Sequence, residues 1–197
     1  MRSDVLRWSQ YRSMPWKNGG GTTREVAAGT VPAPPASAHG FDWRVSVADV
    51  DAAGPFSPLP GIDRVITPVE GEGMVLTVDG AAYPVRPLHP FAFSGDATTN
   101  CRLDAGAVRN MNVMTRRGRA TARVHITTVT AAQETELTCA TGETLFVVAA
   151  TEGITVGAPD GLESALGRLD CVRHEGPGAL LLRGDGTVAA IRITAAR

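Results

Sequence analysis

Glycine and proline punctuate this chain so closely that helices are hard to place. There are 22 glycines and 13 prolines among 197 residues. Proline removes a backbone donor and glycine raises the entropy cost of ordering, so both end regular structure. The longest run free of both, Arg119 to Thr141, is full of Thr and Val, which favour strands. Arg44 to Val50 and Arg123 to Val129 alternate apolar and polar residues, the period of a half-buried strand. Val31 to Ala38 is too rich in proline for either regular structure and reads as a surface loop. Many short strands joined by glycine turns indicate an all-β sandwich or barrel.

The chain also repeats itself. Val69–Gly80 (VEGEGMVLTVDG) resembles Ala150–Gly161 (ATEGITVGAPDG), and Gly80 and Gly161 are each followed by a glycine 15 residues later, Gly95 and Gly176. Each half then continues with an apolar strand, a turn and a final strand, Asn110–Thr115 and Ala189–Thr194. Two copies of one all-β unit suggest tandem jelly rolls, with a first lobe over residues 1–117 and a second over 118–197. The polar signals crowd into the first lobe, so the second reads as a degenerate copy that supports it.

A net charge of −1 gives no nucleic-acid footprint. No apolar run is long enough to span a bilayer, and the N-terminus lacks the apolar core of a signal peptide. Three widely spaced cysteines, Cys101, Cys139 and Cys171, form no metal or redox motif. They read as reduced thiols in a cytoplasmic protein, and nothing in their strand-like surroundings supports a catalytic thiol.

The chemistry-bearing residues begin in Met14–Glu25 (MPWKNGGGTTRE). Three glycines give up side-chain burial and provide close backbone approach, a loop that can aim Lys17, Asn18 and Arg24 into a shared cleft beside Trp16. In Phe41–Ala48, Trp43, Val45 and Val47 share one strand face and Asp42, Arg44, Ser46 and Ala48 the other, so Arg44 and Ser46 can point together into a barrel mouth. The rigid turn Gly54–Gly61 leads into Asp63 and Arg64. Arg64 has either a structural acid or a ligand as its partner. Phe93 precedes the Gly95–Asp96 turn, where Asp96 either holds a cation or caps the turn. Asn110, Asn112 and Met114 share a face, a composition that suits a wet pocket lining better than a dry core.

Four histidines, His39, His89, His125 and His174, stand alone. A metal-dependent cupin needs a His-x-His pair, a Glu and a further His, so no metal and no other cofactor is expected. The glycine run lacks the Lys-Ser/Thr and the helix that a phosphate loop requires.

The segments Pro15–Glu25, Phe41–Ala48, Gly54–Ser57, Pro60–Arg64, Phe93–Asp96 and Asn112–Arg117, in that order and spacing, resemble the HutD/Ves family. The resemblance is specific through residue 117 and vague beyond it. It implies a bicupin, two tandem jelly-roll (double-stranded β-helix) barrels in one chain without the usual cupin metal ligands. Some members are encoded with histidine-utilisation enzymes, which implies a sensor or governor binding N-formylglutamate or urocanate. This chain departs from the family where relatives usually carry an acid before the Asn-Val-Met: it has Asn110, an amide in place of a carboxylate. Pro68 marks an edge position or a bulge in the strand after Arg64.

Two functions follow as expectations. The first is a metal-independent binder of a small-molecule carboxylate, using Trp16, Lys17, Asn18, Arg24, Trp43, Arg44, Ser46, Arg64, Phe93, Asp96, Asn112 and Met114. Arginine forks match carboxylates in bidentate geometry, and the aromatic and thioether groups give an apolar wall. The second is a metal-free isomerase or hydrolase acting on a similar anion, with Asp96, Asp63 or Glu25 as general base. Jelly rolls also pair through edge strands, so a homodimer belongs among the expectations.

Overall fold

The computed structural model describes residues 2–16, 19–31 and 40–196. These residues form strands, one 3-10 turn at Trp8–Gln10, and no α-helix. The strands are β1 (Arg2–Leu6), β2 (Arg12–Pro15), β3 (Gly21–Gly29), β4 (Trp43–Val50), β5 (Gly54–Pro55), β6 (Ile62–Glu70), β7 (Met74–Val78), β8 (Ala81–Val85), β9 (Phe91–Ser94) and β10 (Thr99–Arg102). They continue with β11 (Val108–Arg116), β12 (Ala120–Val129), β13 (Thr135–Cys139), β14 (Glu143–Ala149), β15 (Ile154–Gly157), β16 (Glu163–Leu166), β17 (Cys171–Glu175), β18 (Gly178–Gly184) and β19 (Gly186–Ala195). The long Thr- and Val-rich run is two strands, β12 and β13. The proline-rich stretch 32–38 lies outside the described residues.

Contacts divide the chain into two units, residues 12–121 and residues 1–11 with 122–196. The first unit holds a six-stranded sheet, β2-β3-β4-β11-β6-β9, and a four-stranded sheet, β5-β10-β7-β8. The second holds a five-stranded sheet, β1-β17-β14-β19-β12, and a four-stranded sheet, β13-β18-β15-β16. Adding eight to each strand number turns β4-β11-β6-β9 into β12-β19-β14-β17, and β5-β10-β7-β8 into β13-β18-β15-β16. The repeat read in the sequence is therefore a repeat of topology. Its matching segments are the β7–β8 and β15–β16 hairpins.

The first hairpin has a clear local cause. Val78 pairs with Ala81, leaving Asp79-Gly80 as a two-residue loop with φ of 47° and 86°. Such a turn needs positive φ at both positions, which Asp and Gly tolerate best. At Pro68 the structure has a bulge: Asn110 pairs with Pro68, but Arg109 pairs with Glu70, so Val69 is the extra residue.

Each unit packs its two sheets around one core. In the first, Val50, Ile66 and Val108 of the six-stranded sheet meet Met74, Leu76, Val85 and Cys101 of the other. In the second, Leu145, Val147, Val172 and Ala190 meet Ile154, Val156, Leu180 and Leu182. Each fully buried aliphatic side chain contributes about 2 kcal/mol of transfer free energy.

One placement differs from the division at residue 117. Strand β1 pairs along its length with β17, from Arg2 opposite Glu175 to Leu6 opposite Cys171, so the first eleven residues belong with the second unit. Arg7 and the Trp8 N–H then bond the Asp170 carboxylate at 2.7 and 2.8 Å, and Tyr11 donates to the Leu169 carbonyl at 2.8 Å. The reason is edge satisfaction: β1 covers the open side of β17, whose backbone groups would otherwise lack partners.

Candidate functional site

Alternation on the six-stranded sheet decides what faces the interior of the first unit. Met114 stands directly between Arg44 on β4 and Arg64 on β6, and Asn112 between Ser46 and Ile66. One step further lie Ala48, Asn110 and Pro68. Side chains directly opposite one another point to the same face. This polar patch is therefore continuous with the apolar core residues Val50, Ile66 and Val108. Two strand spacings separate the Arg44 and Arg64 backbones, roughly 10 Å.

These side chains line a cavity of about 500 Å³. Its wall includes Arg44, Arg64, Asn110, Asn112 and Met114 from the sheet, with Met14, Trp16 and Thr23 from the β2–β3 hairpin and Phe56, Ser57 and Leu59 from the loop after β5. The hairpin turn is built on close approach. A Cβ on Gly21 would fall 2.1 Å from the Asp49 carbonyl oxygen and 3.2 Å from the Trp16 ring. Trp16 is fixed further by donating its indole N–H to Thr23 Oγ1 at 2.8 Å and by an edge contact with Phe56, centroids 6.5 Å apart.

The two arginines have different surroundings. Arg44 Nε lies 3.0 Å from Glu25 Oε2, an ion pair without the alignment of a hydrogen bond. Glu25 stands opposite Ser46, on the same face. Arg64 is only 7% exposed, and among the described residues it has no carboxylate or hydrogen-bonding partner. Its guanidinium lies over the rings of Phe56 and Phe93, 5.1 and 4.9 Å from their centroids. Aromatic faces attract a cation but leave its N–H groups without strong acceptors. Burial pushes the Arg64 pKa down to about 10. Counting Glu25, these described groups sum to +1. Every charged group on the cavity wall itself is a hydrogen-bond donor.

Several expected site residues lie elsewhere. Trp43 is on the opposite face of β4 from Arg44, with its ring against Gly29, where a Cβ would meet it at 2.4 Å. Arg24 pairs with Val47 across the sheet and is likewise turned away. It pairs with Asp49, which also takes Arg109, and Arg109 in turn bonds Glu70 at 2.8 Å. The alternation that brings Arg44 inward forces both outward. Asp96 caps its turn, accepting from the Gly61 N–H and the Ser94 hydroxyl and pairing with Arg117. Asp63 pairs with Arg117 as well. Ser46 is buried behind the wall and donates to the Asn112 carbonyl at 3.4 Å. Phe93 acts through Arg64. Lys17 and Asn18 lie outside the described residues.

Phe56, Ser57, Met14 and Thr23 also line the cavity, and the sequence reading did not single them out, whereas Asn110 lines it as that reading expected. The alternation of β11 already placed Asn110 beside Asn112. The loop residues carry no periodic signal that could have found them. Among the described residues, no three His, Cys, Asp or Glu side chains are grouped as metal ligands. His89 is in a turn with Nδ1 2.8 Å from the Pro87 carbonyl. His174 is fully buried in the second unit, with Nδ1 2.8 Å from Ser3 Oγ. All three cysteines are buried thiols, and burial pushes their pKa values up, Cys101 to about 11.

The HutD family model matches residues 8–191. The chain belongs to the HutD family. It is 37% identical over 180 residues to a Pseudomonas putida protein described as an uncharacterized 21.2 kDa protein in the hutC 3' region, a match covering 90% of this chain and 89% of the relative. It is also 37% identical over 126 residues to protein Ves of Citrobacter koseri, covering 61% of this chain and 63% of that protein. The structure of HutD from Pseudomonas fluorescens SBW25 (formate condition) superposes with a TM-score of 0.83 at 33% identity, over 100% of both chains. A wider, cupin-like fold is shared with YlbA of E. coli, TM-score 0.72 at 8% identity over 98% of this chain and 90% of that one. Among the described residues of this HutD family member, no helix is long and apolar enough to cross a membrane.

Proposed function

We propose that this chain is a metal-independent binder of small carboxylates, a bicupin of two jelly-roll lobes in which only the first carries the ligand. The reading places it in the cytoplasm as a sensor or governor of histidine utilisation, with N-formylglutamate or urocanate as its ligand. The names of its relatives support the pathway, and the doubled strand order supports the two lobes. The carrying observation is Arg64. An unpaired guanidinium buried in a fold costs several kcal/mol unless a counter-charge joins it, and this one opens on a cavity large enough for a small organic acid. A carboxylate would match its N–H fork in bidentate geometry, while Trp16, Phe56 and Met114 would cover the apolar body of the ligand. Inner-face positions of β19 are Val188 and Ala190, where β11 has asparagines, which supports a filled second lobe.

Binding is favoured over the metal-free isomerase or hydrolase because Asp63 and Asp96 are held by Arg117 away from the cavity, and Glu25 is engaged by Arg44. The test is a thermal-shift screen against urocanate, N-formylglutamate, histidine, glutamate and formate. A ligand at a hundred times its dissociation constant adds about 2.7 kcal/mol to the folded state. A shift with an acid that Arg64→Gln abolishes is the expected result. No shift with any of the acids would overturn the reading.

A further inference from the structure

We propose that Glu25 is a charge selector that sets this pocket for monoanions and against dianions. The inference rests on the carboxylate-binding reading of the same cavity and goes on to name the class of acid. Arg44 and Arg64 stand in one row of the sheet, on either side of Met114, and both line the cavity. Two such cations would suit a dicarboxylate, one carboxylate to each guanidinium. Their surroundings are not equivalent, however. Glu25 Oε2 lies 3.0 Å from Arg44 Nε, and both side chains are largely shielded, 29% and 20% exposed. Arg64 lies over two aromatic rings and has no carboxylate partner among the described residues.

A first carboxylate therefore gains a counter-charge at Arg64. A second one approaching Arg44 meets a cation already neutralised and a like charge beside it, in surroundings where repulsion is poorly screened. Neutral acceptors, an amide or ring nitrogen, meet no such penalty at the Arg44 end. The pocket thus favours an acid with one carboxylate and a neutral polar end over the same skeleton with two carboxylates, which of the two ligands proposed above selects urocanate over N-formylglutamate.

The test uses a matched pair on the intact protein, N-formylglutamine with one carboxylate and N-formylglutamate with two, measured by titration calorimetry. The expected result is tighter binding of the monoanion by the parent protein. In Glu25→Gln the ratio of the two dissociation constants moves at least tenfold toward the dianion, about 1.4 kcal/mol. Glu25→Asp, which keeps the charge on a shorter stem, serves as the second variant and moves the ratio in the same direction by less. A merely structural role for Glu25 would weaken both ligands alike and leave their ratio unchanged, and that outcome overturns the selector while leaving carboxylate binding intact. Failure of both ligands and of urocanate to bind the parent would instead sink the carboxylate reading, and the selector with it.

Discussion

Replacing Arg64 by methionine separates a binding residue from a structural one, because the two roles predict opposite signs. Burial lowers the Arg64 pKa from its ordinary value to about 10, which corresponds to about 3 kcal/mol held against the charged form. Contacts with Phe56 and Phe93 return about 1 kcal/mol each. Methionine fills a similar volume, removes the buried charge and makes its own sulfur–aromatic contacts, about 1 kcal/mol. The ligand-free Arg64→Met protein is therefore expected to be more stable than the parent by about 2 kcal/mol, roughly 4–8 °C in melting temperature. The same variant loses the thermal shift that carboxylates produce. Unfolding can be followed through Trp16, which stands in the cavity wall. A melting temperature several degrees below the parent's, with the carboxylate response retained, would refute the reasoning and make Arg64 a structural strut. A residue that lowers stability without a ligand is the usual mark of a binding site held ready.

Trp43→Phe is expected to lower stability by about 1 kcal/mol or more through lost packing against Gly29 and to leave carboxylate affinity within twofold, checked by calorimetry; a tenfold loss of affinity would contradict its placement on the far face. Gly21→Ala drives a methyl into the Asp49 carbonyl and toward Trp16, with an expected cost of about 1–3 kcal/mol and weaker ligand binding together, measured by denaturant titration and calorimetry. Acid destabilises both units. Backbone and hydroxyl donors with Arg117 hold the Asp96 carboxyl at about 2. At Asp42, Asp49 and Asp170, burial acts to raise the pKa but is outweighed by N–H and arginine donors, so all three are lowered. Folded values below the unfolded value of about 3.9 contribute stability that is present above that pH and lost as pH falls from about 4 toward 2. A melting temperature that stays flat from pH 5 to 2.5 would contradict these assignments.

Much of the fold was legible because its signals are local. The strands joined by glycine turns, the bulge at Pro68 and the doubled pattern of strands each depend on a few neighbouring residues. The site was legible only in part. Alternation showed that Trp43 and Arg44 face opposite ways, but which face meets the core depends on the partner sheet, and that sheet is distant in sequence. The same ambiguity put Arg24 in the candidate site in place of Thr23. Phe56 and Ser57 sit on a loop without period, so no local rule could aim them at Arg64. The pairing of β1 with β17 joins residues at opposite ends of the chain, and no local pattern specifies a register across that separation.

That pairing fixes an order of events during synthesis. Residues 2–6 leave the ribosome well before the strand they join, Cys171–Glu175. At roughly 5–20 residues per second, β1 waits on the order of 8–35 s for its partner. The first unit can close in that interval, since residues 12–121 contain all the strands of both its sheets. The nascent chain therefore carries a folded body with an unpaired extended segment ahead of it, whose backbone donors and acceptors are open to any other chain nearby. The edge that completes the finished protein is, for most of its synthesis, the segment with most reason to be held by a chaperone.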